Sequence, residues 1–540
     1  MTRALSIQKS TGERLWKILI KQNLLTEKQI ITVMEQHLGL PFIDLNKISI
    51  DPDMSHYIPP TIAKRHNLVP VRKKANTLYI AIEDPFDFIA IEDVRMVSGM
   101  EVSPMLALGE DIRMIINQLY GNEQAEKAIA DFRKESNLTD VIDIDENIGD
   151  EINSAPIVRL VNSLIGRAVQ ERASDIHIEP FADEVRIRIR IDGRLHTILT
   201  TPKSAHAAII ARLKILGGMN IAEKRVPQDG RYETTIDSKD IDIRMSVLPM
   251  VHGEKAVLRI LDRSSFLIPK DALGFTSENL EKFNQLLKNP HGIILVTGPT
   301  GSGKSTTLYT MLNEINNEYD NIITIEDPVE YLLAGLNQVQ VNAKTGMTFT
   351  AGLRAILRQD PDVIMIGEIR DEETVEIAIR AAITGHLVLS TIHTNDAVST
   401  ISRLMDMGIE PYLLAASLVG IISQRLVRRI CPSCKHPYVP SSFELKMMGL
   451  SADHPGPFYA GTGCVTCNNT GYKGRFPVHE ILVVNRKLRE MINDCAPIDS
   501  IRDYAVQGGM STLQEECAKA LLGGLTTFEE AARVTYSQDT

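Results

Sequence analysis

Gly298-Pro299-Thr300-Gly301-Ser302-Gly303-Lys304-Ser305 places glycines, a lysine and a hydroxyl at the G-x-x-x-x-G-K-S spacing of a phosphate-binding loop. Glycines let consecutive backbone N–H groups converge on phosphate oxygens, and a helix starting at the loop adds partial positive charge. Lys304 would reach the β- and γ-phosphates, and the Ser305 hydroxyl would ligate Mg²⁺. Thr306 opens the helical run that follows. An apolar run, Ile293 to Val296, precedes the loop, so strand, glycine loop and helix succeed one another as such a site requires. The chemistry implied is binding of a nucleoside triphosphate.

Hydrolysis needs a carboxylate to orient or deprotonate water and another to help hold the metal. Ile322-Ile323-Thr324-Ile325-Glu326-Asp327 and Val363-Ile364-Met365-Ile366-Gly367-Glu368 are apolar strands that each deliver acids at their carboxyl ends, where ligands sit in open α/β sheets. Glu368 is the first candidate for positioning water and Glu326 the second. Leu387 to Thr391 forms a third strand between His386 and His393, and a histidine beyond a strand end can hydrogen-bond a γ-phosphate or serve structure alone. Arg354 and Arg358, four apart on one helix face, can neutralise charge at a phosphoryl-transfer site or pair with acids such as Asp360 and Asp362.

Cys431-x-x-Cys434 and Cys464-x-x-Cys467 supply four thiolates in the pattern of a closed structural Zn²⁺ site. Arg425, Arg428, Arg429 and Lys435 beside them are expected to form a local basic patch.

These residues need a large scaffold. At 540 residues the chain exceeds one core. We divide it into 1–120, a mixed N-terminal domain; 121–153, an acidic linker; 154–270, an α+β domain; 271–428, a nucleotide-binding α/β core; 429–476, the cysteine module; and 477–540, a helical C-terminal region. In the α+β domain Val185 to Ile191 alternates aliphatics with Arg186, Arg188 and Arg190, and Asp192-Gly193 reads as a hairpin turn. A second alternation places Arg244 on a polar face, and Asp229-Gly230 reads as a turn just before Arg231. The sheet is therefore expected to be cationic. A formal charge of −11 opposes bulk nucleic-acid binding. Met1 to Gly12 lacks the apolar core of a signal peptide, and Leu413 to Ile422 is too short to span a bilayer, so a cytoplasmic location is expected.

Together these motifs resemble the secretion ATPase superfamily, specifically the ATPases of type II secretion and type IV pilus assembly. The resemblance rests on Ala173 to Glu179, the phosphate loop, Thr324 to Glu330, Asp360 to Asp371, Thr384 to Asn395 and the four cysteines. Retraction ATPases are a weaker match, lacking the N-terminal extension and those cysteines. The resemblance implies a multidomain α/β chain: a RecA-like P-loop ATPase core, a preceding α+β domain, an N-terminal mixed domain and a tetracysteine zinc module. It implies a homohexamer on the cytoplasmic face of the inner membrane, hydrolysing ATP to move a platform protein. Glu368 becomes the catalytic glutamate, His393 a neighbour of the γ-phosphate, and Arg231, Arg244, Arg354 and Arg358 phosphate contacts. The N-terminal stretch is similar to a domain that binds cyclic di-GMP in some pilus-type members. That pattern begins Arg-Leu-Gly with another glycine soon after; here Trp16 follows Arg14-Leu15 and Asn23 takes the later place. At these two positions the chain departs from that pattern, and the domain is expected either to bind cyclic di-GMP as a regulatory nucleotide or to dock on a membrane-anchored partner. A RecA-like nucleic-acid translocase is the alternative, opposed by a single Trp and 5% aromatics for base stacking.

Overall fold

The structure is a computed structural model describing residues 15–22, 24–25, 27–48, 50–120, 155–263, 268–451, 454 and 456–535, with Lys127, Ile129 and Asp131. Arg14, Asn23 and the acidic stretch 140–151 lie outside them. The chain forms two compact units, one from residues 1–261 with 431–434 and 462–471, the other from 262–430, 435–461 and 472–540.

The second unit is built on a seven-stranded sheet in the order Asn337–Gln340, Ile322–Glu326, Val363–Ile366, Leu387–Ile392, Gly292–Thr297, Leu418–Ile430 and Tyr472–Val483. Every pairing is parallel except the last. Four of these strands are buried along their whole length, because their runs of Ile, Val and Leu meet apolar side chains on both faces. Ile293 and Leu295 pack on one face with Ile325, Ile366 and Val388, and Ile294 and Val296 on the other with Leu308, Met311 and Leu389. This two-sided core fixes where each strand ends. The strands ending at Ile366, Ile392 and Thr297 are consecutive neighbours in the sheet, so the residues following them emerge along one edge.

The first unit holds a three-stranded sheet of Leu68–Lys74, Thr77–Ile82 and Glu101–Leu106, and a six-stranded sheet running Arg194–Pro202, Glu184–Ile191, Asp175–Pro180, Gly253–Asp262, Lys239–Met250 and Gln228–Ile236. Val185, Ile187 and Ile189 are buried as their alternation requires, and Ile191 is half-buried. Asp192 and Gly193, at φ +47° and +84°, make the two-residue turn between the first pair of strands.

Asp229-Gly230 corrects the sequence reading. It is no turn but lies inside the strand Gln228–Ile236, whose hairpin turn is Asp237-Ser238 at φ +50° and +63°. Glycine is needed at 230 because a Cβ there would stand 2.4 Å from the Gly217 carbonyl oxygen. No described helix is long and apolar enough to cross a membrane. Gly230→Ala must push two backbones apart and is expected to destabilise the first unit by about 1–3 kcal/mol. An unchanged urea unfolding midpoint would contradict this.

Candidate functional site

The phosphate loop follows the buried strand Gly292–Thr297 and leads into the helix Lys304–Ile315, which no side chain caps at its N-terminus. Its first N–H groups therefore remain available to an anion. Gly298 sits at φ +143°, and a Cβ on it would lie 2.4 Å from the Gln424 carbonyl oxygen. The Gln424 side chain, 1% exposed, locks the loop to the sheet. Its amide nitrogen donates to the Ser302 carbonyl at 2.7 Å, and its amide oxygen accepts from the Thr307 hydroxyl at 2.7 Å. Ser305 is exposed, which leaves its hydroxyl accessible to a metal. Lys304 donates to the carbonyls of Gly298 and Pro299 at 2.8 and 3.1 Å. Burial pulls its pKa down to about 8, with Arg425 adding to the fall and Glu368 opposing it.

Glu368 and His393 come together beyond the ends of neighbouring strands. His393 Nε2 lies 3.5 Å from one Glu368 oxygen, and Arg370 grips the other. The turn carrying Glu368 is held by hydroxyls: Ser390 and Thr391 donate to the carbonyls of Ile366 and Gly367, each at 2.8 Å. His393 is held through its neighbour. The Thr394 N–H donates to the Thr297 hydroxyl at 3.0 Å, and that hydroxyl donates to the Thr394 carbonyl at 3.1 Å. His386 is structural, its Nδ1 donating to the Ala381 carbonyl at 2.9 Å. Glu326 differs from Glu368. It is buried, and its oxygens accept from the Tyr309 hydroxyl, from Thr324 at 2.6 Å and from Gln338 at 3.2 Å. That leaves Glu368 the better placed of the two to act on water.

Arg354 pairs with Glu373 at 2.7 Å rather than with Asp360 or Asp362, and Arg358 donates to the Arg354 carbonyl at 2.7 Å. Both stay exposed. The basic patch expected around the cysteines is not formed, because two of its members point inward. Arg428 is buried against Glu530 at 2.7 Å and over the Tyr472 ring, and Arg425 is buried and donates to the Asn395 carbonyl at 3.0 Å.

In the first unit, Arg231 and Arg244 are cross-strand partners. Arg231 makes a two-pronged bond to the buried Asp242 at 2.9 and 2.8 Å. The neighbouring arginines are answered by carboxylates that pattern reading of a single strand passed over. Asp175 accepts Arg190 at 3.4 Å and Arg259 at 3.3 Å, and Glu179 accepts Arg188 at 2.7 Å and Lys255 at 2.9 Å.

The four cysteines, free of disulfides, gather with their sulfurs within 4.8 Å of one another. Pairs at 3.8, 3.9 and 3.7 Å match the edges of about 3.8 Å that a tetrahedral site with ~2.3 Å Zn–S bonds requires. Backbone N–H groups of Cys464 and Gly471 point at the Cys467 sulfur from 3.2 and 3.3 Å, a charge-stabilising arrangement suited to a thiolate. Burial pushes the Cys434 thiol up to about 12, so a cation is needed to hold it ionised. The donor set fits zinc.

Residues 150–533 match the type II/IV secretion system protein family, and residues 38–126 match the MshEN domain. The type IV pilus assembly ATPase PilB of Myxococcus xanthus is 40% identical over 538 residues, covering 98% of this chain and 95% of the relative. Type II secretion system protein E of Xanthomonas campestris pv. campestris is 40% identical over 541 residues, covering 99% and 95%. The X-ray structure of the Legionella pneumophila ATPase DotB covers 70% of this chain and 95% of its own at 20% identity and a TM-score of 0.53, a likeness of fold.

Gln424→Leu removes the amide bridge while keeping an apolar side chain of similar size. The Ser302 carbonyl and Thr307 hydroxyl would be left unpaired, at a cost of about 1–3 kcal/mol in denaturant unfolding. A variant as stable as the parent would show that the bridge holds nothing.

Proposed function

The chain belongs to the type II/IV secretion system protein family, and on that premise we propose that it is an ATP-hydrolysing motor for assembly of a type IV pilus or a type II secretion pseudopilus. The observation that carries this reading is the convergence of Lys304, Glu368 and His393 at the carboxyl ends of three adjacent strands. ATP binds with its β- and γ-phosphates on residues 298–306, and Ser305 holds Mg²⁺. Glu368 orients the attacking water, restrained by Arg370 and His393 until the γ-phosphate takes up the histidine. Arg231, Arg244, Arg354 and Arg358 contribute positive charge to the phosphates during turnover. Zinc in the tetracysteine site is structural.

The motor works as a homohexamer on the cytoplasmic face of the inner membrane and transmits its stroke to a platform protein. Its N-terminal domain docks on a membrane-anchored partner. Phe88, Ile89, Met96 and Val97, all exposed on the helix Phe88–Ser98, offer the apolar face for that contact. The inward turn of Arg425 and Arg428 weighs against a nucleic-acid translocase.

Glu368→Gln separates binding from chemistry. Fluorescent-nucleotide affinity should be retained while kcat falls roughly 10²- to 10⁴-fold. Turnover equal to the parent would remove Glu368 from the reaction.

A further inference from the structure

The metal knuckle does more than close a loop. Its two halves, residues 431–434 and 462–471, belong to the first unit, although in sequence they follow and precede the strands Leu418–Ile430 and Tyr472–Val483 of the second. Between the ligands Cys464 and Cys467 the chain makes a single helical turn, Val465–Cys467. Val465 is buried in the apolar cluster of the N-terminal domain with Leu45, Ile112 and Ile116. The turn packs on the helix Gly109–Tyr120 and on the short turn Leu45–Lys47. Beside it the Thr466 hydroxyl bonds Asn46 Oδ1. Asn468, just past the last ligand, donates to Glu171 Oε2 at 3.2 Å, and Glu171 also accepts from Arg167 at 2.6 Å.

One small knuckle thus touches both parts of the first unit, the N-terminal domain through Val465 and Thr466 and the arginine-bearing domain through Asn468. In sequence those parts are separated by residues 121–154. The docking residues sit between or directly after two metal ligands, so their backbone positions depend on ligation. The backbone bonds that shape the turn are local to it, from the Cys467 N–H to the Cys464 carbonyl at 3.2 Å and from the Asn469 N–H to the same carbonyl at 2.9 Å, so its shape and the ligand positions change together.

We propose that the tetracysteine knuckle is a metal-dependent latch whose partner is the N-terminal domain of the same chain: with zinc bound, Val465 and Thr466 dock that domain, and without zinc the domain is released. The consequence is that metal occupancy governs how firmly the N-terminal domain is held to the knuckle and, through Asn468, to the arginine-bearing domain of the same unit.

The test is hydrogen exchange read by mass spectrometry on the full-length chain, with zinc content measured alongside. Chelation under reducing conditions should speed exchange in Leu45–Lys47 and Gly109–Tyr120 by roughly tenfold or more, and returning zinc should reverse it. Val465→Asp should keep its zinc yet show the same acceleration in the same segments. Should the aspartate unfold the knuckle and lose zinc, Val465→Thr, which keeps the shape, should give a smaller acceleration with zinc retained. Unchanged exchange in both segments after measured zinc loss would overturn the latch, as would a zinc-retaining Val465 variant indistinguishable from the parent.

Discussion

A lysine ammonium drawn out of water and satisfied by two backbone carbonyls is the constraint on which the nucleotide unit depends. Among the described residues no carboxylate is bonded to Lys304; its hydrogen bonds are to the carbonyls of Gly298 and Pro299, and burial lowers its pKa to about 8. A cation in such a place is costly until an anion arrives. The loop geometry that holds it there comes from a buried amide. Gln424 joins the Ser302 carbonyl to the Thr307 hydroxyl, so the cradle and the first turn of its helix move as one piece with the sheet. The same sheet order brings Glu368 and His393 to the neighbouring strand ends, where Glu368 acts on the lysine through space and meets His393 directly.

Much of this was legible from the chain because its physical causes are local. Runs such as Ile293 to Val296 and Val363 to Ile366 are apolar on every residue, which a strand tolerates only when covered on both faces. The loop glycines, the strand-end acids and Asp192-Gly193 carry their meaning in residue type and spacing. The paired Cys-x-x-Cys spacing likewise announced the sulfur cluster.

What stayed hidden depends on pairing across the sheet. Asp229-Gly230 has the composition of a turn, but its glycine serves the close pass of Gly217, which lies far from it in the local pattern. The three arginines of Val185–Ile191 suggested an unmet positive surface. Their register against Asp175–Pro180 places Asp175 and Glu179 among them, and register is not visible within one strand. Arg370 follows Glu368 by two residues and has no periodic signature. Gln424 did leave a trace: the polar trio Ser423-Gln424-Arg425 interrupts the apolar strand Leu418–Ile430, and an amide there is buried only when both its ends are bonded. Arg425 and Arg428 look like surface charge from their own neighbourhood in sequence, because nothing local reveals Asn395 or Glu530 as their partners.

Titration calorimetry of ATP into the full-length chain, run in buffers of differing ionisation enthalpy, tests the account at its root. With Lys304 at about 8 when free of nucleotide, a bound polyphosphate raises its pKa, so binding at about pH 9 must take up protons, while at about pH 7 the lysine is already charged and uptake vanishes. Net uptake of up to about one proton at the higher pH, and little at the lower, is the predicted result. Binding with no net uptake at about pH 9 would mean that the triphosphate does not rest on this lysine.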